Sequence, residues 1–258
     1  MNIYYCQLTL HDNIFFATRE MGLLYETEKY LHNWALSYAF FKGTYIPHPY
    51  RLQGKSAQKP NYLDSTGEQS LAHLNRLKIY VFPAKPLRWS YQINTFKAAQ
   101  TTYYGKSQQF GDKGANRNYP INYGRAKELA VGSEYHTFLI SSQELNIPHW
   151  IRVGKWSAKV EVKPYLIPQK AISQHSGTYL CDHPLNPIDL PFNQELLLYN
   201  RIVMPPVSLV SQAQLQGNYS KINKNNWNDC PSDLTDLPQQ ICLPLGVNYG
   251  AGYIASAS

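Results

Sequence analysis

Between residues 88 and 127 the sequence carries seven basic side chains, Arg88, Lys97, Lys106, Lys113, Arg117, Arg125 and Lys127, against the single acid Asp112. The same stretch holds eight aromatics: Trp89, Tyr91, Phe96, Tyr103, Tyr104, Phe110, Tyr119 and Tyr123. Cations attract phosphates and release condensed counterions, while planar rings stack on unpaired bases at roughly 1–3 kcal/mol each. The chemistry on offer is non-covalent capture of a single-stranded nucleic acid. A membrane-binding helix fits less well, because residues 100–124 contain four Gly, one Pro and no 3.6-residue apolar period. A basic surface loop without a ligand has the same composition.

Groups for bond-making chemistry are sparse. HExxH, GxSxG, P-loop and GxGxxG patterns are missing from the sequence. The four cysteines form no CxxC pair and have no His partners at zinc spacing, so neither a metal nor another cofactor is expected. Metal-independent ribonucleases need only a His with a Lys or Tyr, and His136, in the strand after the basic stretch, is the best-placed candidate for such a role.

Across all 258 residues the net charge is +7, with 43% hydrophobic and 16% charged residues. Nearly all the excess lies in the basic-aromatic stretch, whereas residues 182–258 carry three basic and six acidic side chains. This is a globular composition, long enough to bury a core. With no apolar run of transmembrane length and no basic-then-apolar leader, a cytoplasmic protein without membrane attachment is expected.

The elements that would position the basic stretch read as follows. Residues 3–10 alternate in a strand, with Tyr4, Cys6, Leu8 and Leu10 on one face. A helix is predicted from a Thr27 cap, with Leu31, Trp34, Ala35 and Tyr38 on one face and Gly43 past its end. Strands are predicted around Leu77–Val81, Leu87–Asn94, Tyr135–Ser141 and Trp156–Lys163. Between Leu87–Asn94 and its expected partner strand Tyr135–Ser141 lies a span of about forty residues that suits an extended hairpin arm better than a structureless loop. Beyond Pro164 the chain reads as irregular and rich in Pro and Asn, ending in a glycine-rich mobile tail.

The run from Ile3 to Phe41 carries a more specific signal. Its first strand, the segment Phe16-Ala-Thr-Arg-Glu-Met-Gly22, and Thr27-Glu28 before Leu31-His-Asn-Trp-Ala-Leu36 resemble the Csc-one family. These are the Cas-five-type subunits of the type I-D CRISPR surveillance complex, Cascade. Two shorter blocks, Trp150-Ile-Arg-Val-Gly-Lys-Trp156 and Met204-Pro-Pro-Val-Ser-Leu209, resemble it as well. The resemblance implies an α+β fold, a ferredoxin-like (RNA-recognition-like) β-α-β core with a long inserted β-hairpin thumb. It implies a single RAMP-like domain over residues 1–258, with the thumb at 97–134 and an irregular C-terminal extension at 164–258.

The role it implies is non-catalytic: clasping the 5′ handle of the crRNA and capping the backbone filament. The implied neighbours are the Cas-seven-type backbone subunit, the large Cas-ten-like subunit and target DNA near the PAM. On the thumb, Lys97, Lys106, Lys113, Arg117, Arg125 and Lys127 are phosphate-contact candidates, and Tyr103, Tyr104, Tyr119 and Tyr123 stacking candidates. Arg19, His32 and Asn33 in the N-terminal block are candidate handle contacts. Arg152 and Lys155 flank Gly154, where a missing side chain would let a backbone or an RNA approach closely. Two other functions remain open at this point: a metal-independent endoribonuclease acting on repeat RNA, and a reader of duplex DNA at the adjacent motif.

Overall fold

The structure is a computed structural model that describes residues 1–41, 63, 70–97, 123–227 and 237–251, with only the backbone at Leu52–Gln53, Ser56–Ala57, Lys97 and Tyr123. In chain order the elements are β1 (Asn2–Leu10), β2 (Arg19–Met21), β3 (Leu24–Glu26), α1 (Asn33–Phe41), β4 (Leu52–Gln53), β5 (Ser56–Ala57), α2 (Ala72–Arg76), β6 (Ile79–Val81) and β7 (Lys85–Arg88). They continue with β8 (Tyr91–Lys97), β9 (Tyr123–Leu129), β10 (Glu134–Ser141), β11 (Trp150–Val153), β12 (Ala158–Leu166), β13 (Ile172–Cys181), β14 (Glu195–Ile202), β15 (Leu209–Asn223) and β16 (Gln240–Pro244).

This is a mostly β molecule. The expectation of an α+β, ferredoxin-like β-α-β core is therefore wrong: the two α-helices among the described residues are short, and the strands form antiparallel sheets with one parallel exception. The main sheet runs β11-β12-β1-β10-β6, with β7 also on β10. The alternation expected for residues 3–10 puts β1 in its centre, paired with β10 on one side and β12 on the other. Both its faces are covered. Tyr4, Cys6, Leu8 and Leu10 enter one buried cluster with Val160 and Val162, while Ile3 and Tyr5 enter a second with Phe138 and the C-terminal sheet. Burying each such aliphatic side chain contributes roughly 1.5–3 kcal/mol, which fixes the register.

The C-terminal part is not irregular. It forms a second sheet, β13-β15-β14 with β16 on β15, built around the fifteen-residue β15. Here Leu209, Ser211, Ala213 and Leu215 are buried and Gln212, Gln214 and Gln216 exposed, a period of two carried by small and polar residues rather than by large apolar ones. Nor is the glycine-rich end a free tail as far as Ala251. Tyr249 is buried, its hydroxyl 2.6 Å from Ser37 Oγ and accepting from the Val81 amide.

The helix also starts later than Thr27. Residue Thr27 is buried, its Oγ1 accepting from the Phe16 amide, and α1 opens at Asn33. His32 caps it: Nδ1 accepts from the Trp34 amide and Nε2 bonds the Val207 carbonyl, a pattern that fixes the neutral Nε2–H tautomer. A third sheet, β2-β3-β9-β8, stands beside the main one and carries the basic stretch. Among the described residues, no helix is long and apolar enough to cross a membrane.

Candidate nucleic-acid interface

The base of the basic stretch is a two-stranded ladder. Strands β8 and β9 pair antiparallel from Tyr91↔Leu129 to Lys97↔Tyr123, so the partner of β8 is β9 and not the expected Tyr135–Ser141 strand, which serves the main sheet instead. Phe96 lies across Gly124, where an added Cβ would sit 2.5 Å from its ring. The aromatic covers a glycine that would otherwise leave the ladder unpacked. Strand β3 joins β9 in parallel, at Leu24↔Arg125 through Glu26↔Lys127.

Cations and rings alternate over this base. Lys127 Nζ pairs with Glu26 at 3.0 Å and stands 4.3 Å from the centre of the Tyr91 ring. Trp89 meets Tyr91 edge-on at 5.0 Å, and Lys29 Nζ lies 5.6 Å from the Trp89 ring. Burial, and then the nearby carboxylates of Glu28 and Glu26, push the Tyr91 phenol up to about 12, so it remains neutral and able to donate. Arg125 is exposed on β9, two residues before Lys127. For Lys97 and Tyr123 only the backbone is placed, and Tyr103, Tyr104, Lys106, Lys113, Arg117 and Tyr119 lie outside the described residues.

The other candidates divide by burial. Arg19 is on β2 and forms an ion pair with Glu28. His32 and Asn33 do not reach the surface: both are buried, His32 as the helix cap and Asn33 with its amide donating to Asp189 at 2.7 Å and to the Tyr80 hydroxyl at 3.2 Å. Their polar atoms are taken up inside the fold, which replaces the reading of them as handle contacts. Arg152 and Lys155 are exposed at the β11–β12 hairpin, where Trp156 stacks on Phe15 at 4.5 Å. Gly154 has φ +84°, and a Cβ there would be 3.0 Å from the Phe15 carbonyl, which accepts from the Lys155 amide at 2.8 Å. The close approach at this glycine is made by the chain's own backbone.

The first family-like block thus meets each of the other two: Phe15 against Gly154 and Lys155, His32 against Val207. A cluster that sequence reasoning missed completes this scaffold. Asp189, buried in the second sheet's side of the core, accepts from Asn33, Tyr80, the Trp34 indole at 3.4 Å and the Gly250 amide at 2.8 Å. No spacing in the sequence pairs positions so far apart. His136 is buried too, beside His183 at a ring separation of 5.1 Å, and desolvation, reinforced by Lys85, lowers its pKa to about 3. A general base needs access to substrate and a pKa nearer the working pH, and His136 has neither.

The family model for the Type I-D CRISPR-associated protein Cas5/Csc1 matches residues 1–252. No curated protein matches the chain. Among solved structures, a chain of the Type III-B Cmr-beta bound to cognate target RNA and AMPPnP aligns with a TM-score of 0.42 at 10% identity, over 82% of this chain and 86% of that one. A CRISPR protein from Archaeoglobus fulgidus aligns with a TM-score of 0.35 at 13% identity, over 85% and 95%. Neither likeness is close enough to carry an argument. The family match, spanning nearly the whole sequence, does so alone: the chain belongs to the type I-D CRISPR-associated Cas5/Csc1 family.

Proposed function

We propose that the chain is a non-catalytic RNA-binding subunit of a type I-D CRISPR effector. It grips the 5′ handle of the guide RNA with the arm at 97–134 and caps the backbone filament, facing a Cas-seven-type subunit, a Cas-ten-like subunit and target DNA near the PAM. The observation that carries this reading is the β8–β9 ladder, which delivers the chain to the basic-aromatic residues 98–122 from a base already lined by Lys127, Tyr91, Trp89 and Lys29. Family membership supplies the setting. The endoribonuclease alternative loses its candidate base with the burial of His136.

The test is binding of the full chain to labelled single-stranded handle RNA at several salt concentrations. Replacing Lys106, Lys113 and Arg117 together by Ala is expected to weaken binding and to flatten the salt slope by about 2, at roughly 0.7 per single-strand phosphate. An unchanged slope overturns the arm as the clasp. Specific cleavage of repeat RNA in EDTA, lost on His136→Ala, overturns the non-catalytic role.

A further inference from the structure

A cleft of about 780 Å³ opens where the arm base meets the C-terminal sheet, within the range of roughly 300–1,000 Å³ that holds small ligands. Its charged lining is Arg19, Glu28, Lys29, Lys85, Asp182 and Arg201. Two of the four cations are neutralised in place, Arg19 by Glu28 and Lys85 by Asp182. Lys29 and Arg201 have no carboxylate partner among the described residues. The Arg201 guanidinium instead directs Nε and Nη2 at the neutral Ser208 hydroxyl, each at 3.2 Å. Lys29 stands 5.4 Å from the Tyr30 ring and 5.6 Å from that of Trp89, whose indole is 41% exposed.

Two uncommitted cations in one cleft make a site for anions, and the cleft is continuous with the arm base. From Lys29 the row runs through Trp89 and Tyr91 to Lys127 on β9, cation and ring in turn. Alternation of this kind suits a flexible strand, with phosphates on the cations and bases on the rings. An acidic peptide would use the cations but would leave the exposed indole without a stacking partner.

We propose that this cleft binds the backbone of single-stranded RNA, with Lys29 and Arg201 each holding a phosphate and Trp89 stacking on a base between the cleft and the arm. The proposal rests on the RNA-clasp reading and extends the RNA path from the arm onto the body. Arg201 can present two parallel donors to one phosphate, and Lys29 acts as a point charge.

The experiment measures anisotropy of labelled handle RNA, and of a duplex DNA of equal length, with the full chain. The double variant Lys29→Ala/Arg201→Ala is expected to weaken RNA binding about tenfold or more, the worth of about one charge-assisted contact, and to lower the salt slope by about 1.4. Trp89→Ala is expected to weaken it about fivefold or more with the slope unchanged. A control, Lys78→Ala/Lys170→Ala, removes the same charge from exposed positions off the cleft. Equal losses in cleft and control variants overturn the proposal, as does a loss confined to duplex DNA. An unaltered cleft variant beside a weakened arm variant overturns the cleft and leaves the clasp standing. No RNA binding by the unmodified chain overturns both. Thermal unfolding of each variant separates misfolding from lost contact.

Discussion

The cluster around Asp189 and the surface around Lys127 use the same kinds of group, a carboxylate, a tyrosine, a tryptophan and polar side chains, yet they are built to opposite ends. At Asp189 everything is buried, no cation is present, and four donors converge on two oxygens. At Lys127 the carboxylate Glu26 meets a cation, and the rings of Tyr91 and Trp89 keep a solvent-facing side. The first arrangement joins α1, β6 and the end of the chain. The second keeps an aromatic face, with Lys29 beside it, open to a ligand. Resemblance in the N-terminal block therefore marks the scaffold, while the charge map marks the surface proposed to hold RNA. Variants and conditions that separate stability from RNA affinity test this division.

The largest separation is expected from pH. Burial holds the imidazole of His32 down to about 4 and that of His136 to about 3, and burial with the neighbouring His136 lowers His183 well below the ordinary range. Unfolded, all three take up protons near the ordinary histidine pKa of 6.5, whereas the folded chain keeps them neutral. Their stabilisation is complete above that pH and is lost as pH falls through it, by about 1.4 kcal/mol per pH unit for each. Asp189 opposes them. Burial raises its carboxyl to about 6, so the folded chain protonates first and regains stability as pH falls below that value. Three histidines outweigh one aspartate, and denaturant unfolding is expected to show a net loss of about 4 kcal/mol from pH 7 to pH 5. None of these four groups lies between residues 97 and 134, so RNA affinity per folded molecule should hold. A stability independent of pH across this window contradicts the buried neutral state of the histidines.

Asp189→Ala ranks next, at about 3 kcal/mol, because it strands the donors of Asn33, Tyr80, Trp34 and Gly250 away from water. Denaturant midpoints measure that cost. The salt slope of RNA binding should be untouched, and a changed slope would mean that the cluster reaches the interface.

What could be read from the sequence depended on local signals. Residues 3–10 and 156–163 announce themselves by apolar side chains at every second position, and both give strands of the main sheet, the second starting at Ala158. The charge and aromatic count singled out residues 88–127, of which the structure describes the β8–β9 base. Strand β15 escaped because its inward side chains include Ser211 and Ala213, and its outward ones are glutamines, so its period of two has little hydrophobic amplitude. Residues 245–251 read as a tail for the opposite reason: one large side chain, Tyr249, and the Gly250 amide anchor them, through partners at Ser37, Asn75, Val81 and Asp189 that are distant in sequence. The ferredoxin-like expectation followed the family's implied core, and the long pairing partners of β1 and β15 outnumber anything α1 and α2 contribute. Lys29 and Arg201 share a cleft only because the end of β14 folds back beside β2 and the Glu28–Tyr30 segment, a non-local fact that no window of sequence contains.

The smallest expected effect on stability is the most informative about the interface. Arg19 is half exposed and paired with the more buried Glu28, whose other oxygen accepts from the Lys29 amide at 2.9 Å. A partly exposed pair of this kind is worth little, and Arg19→Ala is expected to change stability by about 0.5 kcal/mol or less. Its effect on RNA binding should be larger than that, by one of two routes. If Arg19 touches a phosphate, binding weakens and Glu28→Gln does not restore it. If Arg19 serves to mask Glu28, the single variant leaves an unmasked carboxylate beside Lys29, and the double variant Arg19→Ala/Glu28→Gln recovers the affinity. The ion pair between the two side chains favours masking, so recovery in the double variant is the expected result, read from dissociation constants at fixed salt. Persistent loss would move Arg19 from the edge of the scaffold to the surface proposed to hold the guide.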